Sequence, residues 1–283
     1  MTSCVFVSDL HGRRRRYEGL FELIRTERPA AVFLGGDLLP AFLGDAGRGV
    51  HEFLREDLAG GFERLRADLG RAYPRVFLIL GNDDLGSEEP EVESAVAAGL
   101  WDYVHGRRVA FGEHPVYGYS CIPPSPFLLK DWERYDVSHY VDPGSTAPEE
   151  GWHTRPVWPA DLRVTMKDEL GRLVGSDELG QAILLLHAPP YRSKLDRAAL
   201  DGKRVDHVPL DVHIGSIAVR RLIEERQPLL TLHGHVHESA RLTGSWQDRI
   251  GRTLCLSAAH DGPELAVVRF DPARPEAATR EIL

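Results

Sequence analysis

Seven side chains that could bind metal ions follow apolar runs of the sequence, at points where strands would end. They are Asp9, His11, Asp37, Asn82, His187, His235 and His237. This set of carboxylates, imidazoles and one amide contains no thiolate, which argues against an iron–sulfur cluster or a cysteine-based zinc site. Seven ligands exceed the need of one tetrahedral ion and suit two ions that share a carboxylate. The mixture of donors favours Mn²⁺, iron, Co²⁺ or Zn²⁺.

The segment 229–237 gives the strongest single signal. Residues 229–232 form an apolar run after Pro228, typical of a strand that is covered on both faces. Gly234 lets the backbone turn where a Cβ atom would clash, and His235 and His237 follow it. Two imidazoles one residue apart suit two adjacent ions, with one ring bound to each.

The charge of such a site indicates its reaction class. Two divalent ions would exceed the charge of Asp9 and Asp37, so a positive pocket would lie in a protein of formal net charge −9. A positive pocket suits a phosphoryl group. Two ions about 4 Å apart lower the pKa of a bridging water and hold phosphoryl oxygens for in-line displacement. The pattern therefore predicts a metal-dependent phosphoesterase that uses a metal-bridging hydroxide.

The elements that must position these residues alternate between strands and helices. Buried strands are predicted at 4–8, 31–34, 75–80, 181–186, 229–232, 253–257 and 265–270, and helices at 17–28, 50–69, 91–98, 161–173 and 215–226. Sites in such α/β sheets form at the carboxyl ends of the strands. Residues 101–105, 107–111 and 116–121 are expected to be short antiparallel strands. We expect one domain over 1–283, with an aromatic- and proline-rich insertion at about 122–175.

The order of the blocks Asp-x-His, Gly-Asp, Gly-Asn-x-Asp, His and Gly-His-x-His, from Asp9 to His237, resembles the calcineurin-like metallophosphoesterase family. The resemblance implies a four-layer αββα sandwich with a dinuclear site. It assigns one ion to Asp9, His11, Asp37 and His237. It assigns the other ion to Asp37, Asn82, His187 and His235, with Asp37 as the bridge. Mn²⁺ is the favoured metal.

Asp83 departs from the pattern, because many family members have histidine directly after the Gly-Asn pair. That histidine is proposed to bind phosphate and to protonate the leaving oxygen. An ionised Asp83 would repel a monoester dianion more than a diester monoanion, which favours a phosphodiesterase, with a nucleotide as one candidate substrate. A raised pKa would instead make Asp83 a general acid, and a surface turn residue is the alternative. A broad phosphomonoesterase and a non-catalytic interaction scaffold are the competing functions.

Other residues near these blocks carry weaker expectations. Arg13 could reach a substrate phosphate, whereas Arg14 to Arg16 are expected to be a solvated basic turn. His233 is expected to support the ligands from behind. His213 could contact substrate, but a position beside a helix start is the favoured interpretation. In the insertion, Trp132 and Tyr135 could stack on a nucleobase, but packing is the favoured interpretation. Lys130 and Arg134 could meet an anionic substrate or stay solvated.

Composition excludes several classes of partner. The acidic balance disfavours general nucleic-acid or anionic-membrane binding, and no run approaches the length of a membrane span. The expected partner is a small phosphate ester. Cys4, Cys121 and Cys255 share no metal-ligand spacing and are expected to be buried thiols. Together these features favour a cytoplasmic protein.

Overall fold

The computed structural model describes residues 2–40 and 49–283. The strands are β1 (Cys4–Val7), β2 (Ala31–Gly35), β3 (Arg75–Ile79), β4 (Asp102–Tyr103), β5 (Arg108–Val109), β6 (Val116–Tyr119), β7 (Ile183–Leu186), β8 (Arg204–Val205), β9 (Val208–Pro209), β10 (Leu230–His233), β11 (Gln247–Ile250), β12 (Thr253–Ser257), β13 (Ala266–Phe270) and β14 (Thr279–Ile282). The helices are α1 (Arg14–Glu27), α2 (Val50–Phe53), α3 (Gly60–Leu69), α4 (Glu89–Ala97), α5 (Met166–Val174), α6 (Ile217–Arg226) and α7 (Ser239–Thr243).

Two six-stranded sheets form the centre of the fold. Their strand orders are β14-β13-β1-β2-β3-β4 and β11-β12-β10-β7-β6-β5, and β8 and β9 form a separate hairpin. Strands β1 to β4 pair in parallel, as do β12, β10, β7 and β6. The carboxyl ends of the central strands of each sheet therefore lie at one edge.

Alternate residues of the central strands are buried on opposite faces. Phe6, Phe33, Ile183 and Leu230 join one apolar cluster, so the two sheets pack against each other there. The residues between them face a second cluster that includes side chains of α1, α3, α5 and α6. Burial on both faces explains why these strands read as continuous apolar runs rather than alternating ones. The predicted αββα sandwich is confirmed.

Some predictions about the elements are wrong. Strand β4 pairs in parallel with β3, and β6 pairs in parallel with β7, so only β5 and β6 form the expected antiparallel pair. The reason is that the chain passes from the first sheet to the second between β4 and β5. The helix predicted over 50–69 contains a π-helical segment at Leu54–Ala59. Strands β11 and β14 were not expected, because their exposed faces carry polar residues.

No helix within residues 2–40 and 49–283 has the length and apolar character needed to cross a membrane.

Candidate metal centre

The seven predicted ligands converge on the edge where the two sheets meet. Asp9 and His11 follow β1, Asp37 follows β2 and Asn82 follows β3 of the first sheet. In the second sheet, His187 follows β7, and His235 and His237 follow β10.

Four of these side chains form a compact group. One potential ligand atom from each of Asp9, His11, Asp37 and His237 lies within 4.8 Å of the others. The Nε2 atoms of His11 and His237 are 3.1 Å apart, and His237 Nε2 is 3.3 Å from Asp9 Oδ1. Oδ2 of Asp9 is buried and has no hydrogen-bond partner among the described residues. Because an unpartnered buried carboxylate oxygen is costly, this atom fits a cation.

A second group surrounds His187. Its Nδ1 atom donates to the Gly35 carbonyl oxygen at 2.8 Å, so Nε2 is the ring nitrogen that faces the other predicted ligands. That Nε2 atom lies 3.3 Å from Asp37 Oδ2 and 3.1 Å from Asn82 Oδ1. The rings of His187 and His235 are 5.4 Å apart between centroids. Asp37 therefore contacts members of both groups, since its Oδ2 is also 3.9 Å from His11 Nε2.

The backbone is unusual at the ligands. Asp9, His11, Asp37 and His235 all adopt positive φ angles, between 48° and 72°. Left-handed conformations are unfavourable for side-chain-bearing residues and persist only when their surroundings fix them. Here the loops bind one another: Asp9 N donates to Gly36 O at 2.9 Å, and His235 N donates to Asp9 Oδ1 at 2.9 Å. The ligands are thus held in place by the protein itself.

Two glycines permit this close approach. A Cβ atom at Gly81 would lie 2.3 Å from Asp37 Oδ1 and 2.7 Å from His187 Nε2. A Cβ atom at Gly234 would lie 2.0 Å from Ser8 Oγ and 2.8 Å from Asp9 Oδ2. A larger residue at either position would displace a carboxylate, so the geometry of the site requires glycine at both positions.

The buried carboxylates and imidazoles of this site shift one another's pKa values in a way that favours positive charge. Burial by itself would lower the pKa of His187, but the charge of Asp37 outweighs it and raises the pKa to about 10. Burial also opposes ionisation of Asp9, but its hydrogen bond to His237 and nearby imidazoles hold the pKa well below its usual range. Burial lowers the pKa of His235 to about 3, which keeps that ring neutral and able to bind a cation. The donor chemistry and electrostatics fit divalent metal ions.

Asp83 lies beside this cluster and is partly solvated. Its side chain is 41% exposed, and its Oδ2 atom is 3.5 Å from His11 Nδ1. Its Oδ1 atom accepts a hydrogen bond from Asn82 Nδ2 at 2.9 Å. The charge of Asp37, followed by burial, raises the pKa of Asp83 to about 7. The position after Gly-Asn therefore presents a carboxylate to the space beside His11.

Asp84 has a different role from its neighbour. It is fully buried and accepts hydrogen bonds from the backbone N–H groups of Leu38 at 2.9 Å, Leu39 at 2.7 Å and Gly81 at 2.8 Å. This carboxylate ties the loop after β2 to the loop after β3. It thereby fixes Asp37 relative to Asn82, a role that sequence reasoning did not assign.

One member of the arginine run, Arg16, differs from expectation. Arg13 donates to Gly262 O at 3.1 Å, so its guanidinium lies against the segment before β13. Arg16 was expected to be solvated, and that prediction is wrong, because the side chain is only 4% exposed. It donates to the carbonyl oxygens of Asp9, Gly262 (2.5 Å) and Pro263 (3.4 Å). Its position four residues before Leu20 on the apolar face of α1 was the signal for this burial.

His233 and His213 lie behind and beside the ligand loops. His233 is buried, its Nδ1 atom donates to Ala188 O at 2.9 Å, and its Nε2 atom accepts from Thr231 Oγ1 at 2.7 Å. It therefore joins β10 to the residue after His187, an arrangement that suits the predicted supporting role. His213 lies three residues before Ser216, the N-cap of α6, and contacts Asp196.

The insertion is anchored next to the loop that carries Asn82. Asp131 accepts a hydrogen bond from Gly86 N at 2.8 Å. Trp132 and Tyr135 are buried, as the packing interpretation predicts, so neither ring is free to stack on a base. Lys130 is neither solvated nor directed at substrate, because it is buried in an ion pair with Glu133 at 2.5 Å.

Solved structures resemble the whole of this chain. The protein TT1561 of Thermus thermophilus is 19% identical, with a TM-score of 0.59 and coverage of 99% of this chain and 98% of that one. Phosphopantetheinyl hydrolase (PptH) of Mycobacterium tuberculosis is 13% identical, with a TM-score of 0.52 and coverage of 91% and 89%. These likenesses establish the fold. The comparison with curated proteins found no match.

The family comparison agrees with the fold. The profile named calcineurin-like phosphoesterase matches residues 3–239, a range that contains all seven predicted ligands. Since the match covers most of the chain, this protein belongs to the calcineurin-like phosphoesterase family, which uses divalent metal ions.

Proposed function

We propose that this protein is a dinuclear metal-dependent phosphodiesterase that acts on small phosphate esters, with Mn²⁺ as the favoured metal. The observation that carries the proposal is the position of Asp37. Its carboxylate lies 3.9 Å from His11 Nε2 in one ligand group and 3.3 Å from His187 Nε2 in the other. A carboxylate between two sets of imidazoles suits a bridge between two ions.

The proposed ligand sets divide at this carboxylate. Asp9, His11 and His237 would complete one site, and Asn82, His187 and His235 the other. Bound divalent ions would supply positive charge for phosphoryl oxygens and would acidify a water molecule. The neutral amide of Asn82 contributes a donor atom without reducing that charge.

Asp83 supports the preference for diesters. Its half-exposed carboxylate lies beside His11, and bound cations would favour its ionised form despite the raised pKa in the protein alone. A monoester dianion carries more negative charge than a diester monoanion and is therefore repelled more. Even at the dielectric constant of water, unit charges about 4 Å apart interact by about 1 kcal/mol, or roughly fivefold in rate.

The test compares bis-4-nitrophenyl phosphate with 4-nitrophenyl phosphate in the presence of Mn²⁺, for the wild type and for Asp83→Asn. We expect a higher kcat/KM for the diester, and a relative gain for the monoester in the variant because the repelling charge is gone. Equal or higher efficiency on the monoester in the wild type would establish the phosphomonoesterase alternative. No turnover together with no stoichiometric metal would favour the interaction scaffold.

The proposed compartment is the cytoplasm. Cys4, Cys121 and Cys255 are all buried free thiols, which persist most readily in a reducing environment.

A further inference from the structure

A histidine–aspartate pair lies outside the proposed ligand sets. His213 Nδ1 is 2.9 Å from Asp196 Oδ1, and the aspartate is fully buried whereas the histidine side chain is 28% exposed. Asp196 also accepts hydrogen bonds from the backbone N–H groups of Arg192 at 2.8 Å and Ser193 at 3.0 Å. An acceptor fixed in this way holds the proton on Nδ1, so Nε2 is the ring nitrogen left for another partner.

The backbone around the pair is also held. His213 N donates to Asp211 Oδ1 at 2.9 Å, and the ring of Tyr191 makes an edge contact with the imidazole at 6.2 Å. Within residues 2–40 and 49–283, no hydrogen bond engages Nε2 of His213. The ring is oriented from several sides while one nitrogen remains available.

Residues next to the pair contact both ligand-bearing loops of the second sheet. Ser216, three residues after His213, donates from its backbone N–H to Pro189 O at 2.8 Å, two residues after His187. On the other side, residues Arg197 and His213 form a β-bridge, and Ala199 N donates to Glu238 Oε1 at 3.0 Å. Glu238 directly follows His237. The segments around His213 therefore contact the chain shortly after His187 and directly after His237.

We propose that His213, oriented by Asp196, is the general acid that protonates the leaving oxygen. This inference rests on the proposed phosphoesterase function. It would supply the proton donor that the chain lacks after Gly-Asn, where Asp83 stands in place of a histidine. Asp196 would hold the Nδ1–H group of His213 through their 2.9 Å hydrogen bond, which leaves Nε2–H as the donor to the leaving oxygen.

The proposed step is the hydrolysis of one ester bond to phosphorus. Water loses a proton to solvent and forms a bond to phosphorus, while the bond between phosphorus and the leaving oxygen breaks. The Nε2–H proton of the His213 imidazolium passes to that oxygen, so the leaving group departs as a neutral alcohol. The neutral ring then recovers a proton from solvent.

The experiment uses leaving groups of different basicity. The variant is His213→Asn, whose side-chain amide can still donate to Asp196 and preserve the loop. We expect kcat/KM for methyl phenyl phosphate to fall about 100-fold, and that for methyl 4-nitrophenyl phosphate to change less than roughly threefold, since a good leaving group needs no proton. His114→Gln is the matched control, because His114 contacts Gln181 O (3.1 Å) near the amino end of β7.

Mn²⁺ content and unfolding temperature, measured on every variant, show that the fold and metal site are intact. Equal losses on both esters, or no loss on either, would overturn the role of His213. A wild-type rate that already falls steeply with leaving-group basicity would also overturn it, because no acid would then be acting. Absence of turnover on both esters by the wild type would overturn the proposed function, and the role of His213 with it.

Discussion

Replacing Asp37 by Asn tests the proposed bridge directly. The substitution keeps the size of the side chain but removes a buried negative charge that lies within 3.9 Å of imidazoles from both ligand groups. At an effective dielectric constant of about 20, two unit charges about 4 Å apart interact by about 4 kcal/mol. Losing one such interaction weakens binding about a thousandfold, and ions of charge +2 would lose more.

The assay is titration of Mn²⁺ into the metal-free protein by calorimetry, together with metal content after dialysis and kcat/KM for bis-4-nitrophenyl phosphate. We expect the Asp37→Asn variant to bind neither ion with wild-type affinity and to lose nearly all turnover. Asp83→Asn is the control, since it removes a neighbouring charge that is not a proposed ligand and should retain both ions. Two ions bound by Asp37→Asn within about tenfold of wild-type affinity would refute the bridging role.

Three further outcomes follow from the structure. The pKa of His187 in the folded protein, about 10, exceeds its unfolded value. In the metal-free protein, His187 should therefore stabilise the fold fully below pH 6.5, and this stabilisation should be lost as the pH rises to about 10. Urea unfolding across that range, with Asp37→Asn for comparison, checks this. Arg16→Met should lower the free energy of unfolding by about 3 kcal/mol, because buried carbonyl oxygens would lose their hydrogen-bond donor. Arg15→Met, at an exposed position, should change the free energy of unfolding little. Similar losses in the two variants would show that the hydrogen bonds of Arg16 do not stabilise the fold. Gly81→Ala should reduce Mn²⁺ affinity at least tenfold, because its Cβ atom would meet Asp37 Oδ1 at 2.3 Å; unchanged binding in calorimetry would show that the loop can yield.

The positions of the proposed ligands could be predicted because they depend on a simple regularity. Each block follows a strand that is buried on both faces, so an apolar run ends where the donor begins. Parallel pairing then brings Asp9, Asp37 and Asn82 to one edge. The end of each strand can be recognised locally in the sequence, and parallel pairing implies that these ends lie at the same edge of the sheet.

The residues that sequence reasoning missed act through contacts far along the chain. Arg16 looks like its neighbours in a run of four arginines, and only the phase of α1 directs it towards Asp9 and Gly262. In the sequence Asp84 has the character of a turn residue, and only the folded structure shows that it accepts hydrogen bonds from the loop after β2. The parallel pairing of β4 and β6 likewise depends on the sheet that each strand joins, which short strands with glycine turns do not reveal.

The conformation of the candidate metal centre is energetically unfavourable, and the residues around it compensate for this. Four of the seven proposed ligands have positive φ angles, two carboxylates are buried together, and Asp9 Oδ2 lacks a partner among the described residues. Each feature opposes folding, since strain, like-charge repulsion and an unsatisfied acceptor all raise the energy of the folded state. The hydrogen bonds that Asp84 accepts and that Arg16 donates, together with the strands buried on both faces, offset that cost. The proposed ligands are consequently held in position by the hydrogen bonds and packing of the protein itself.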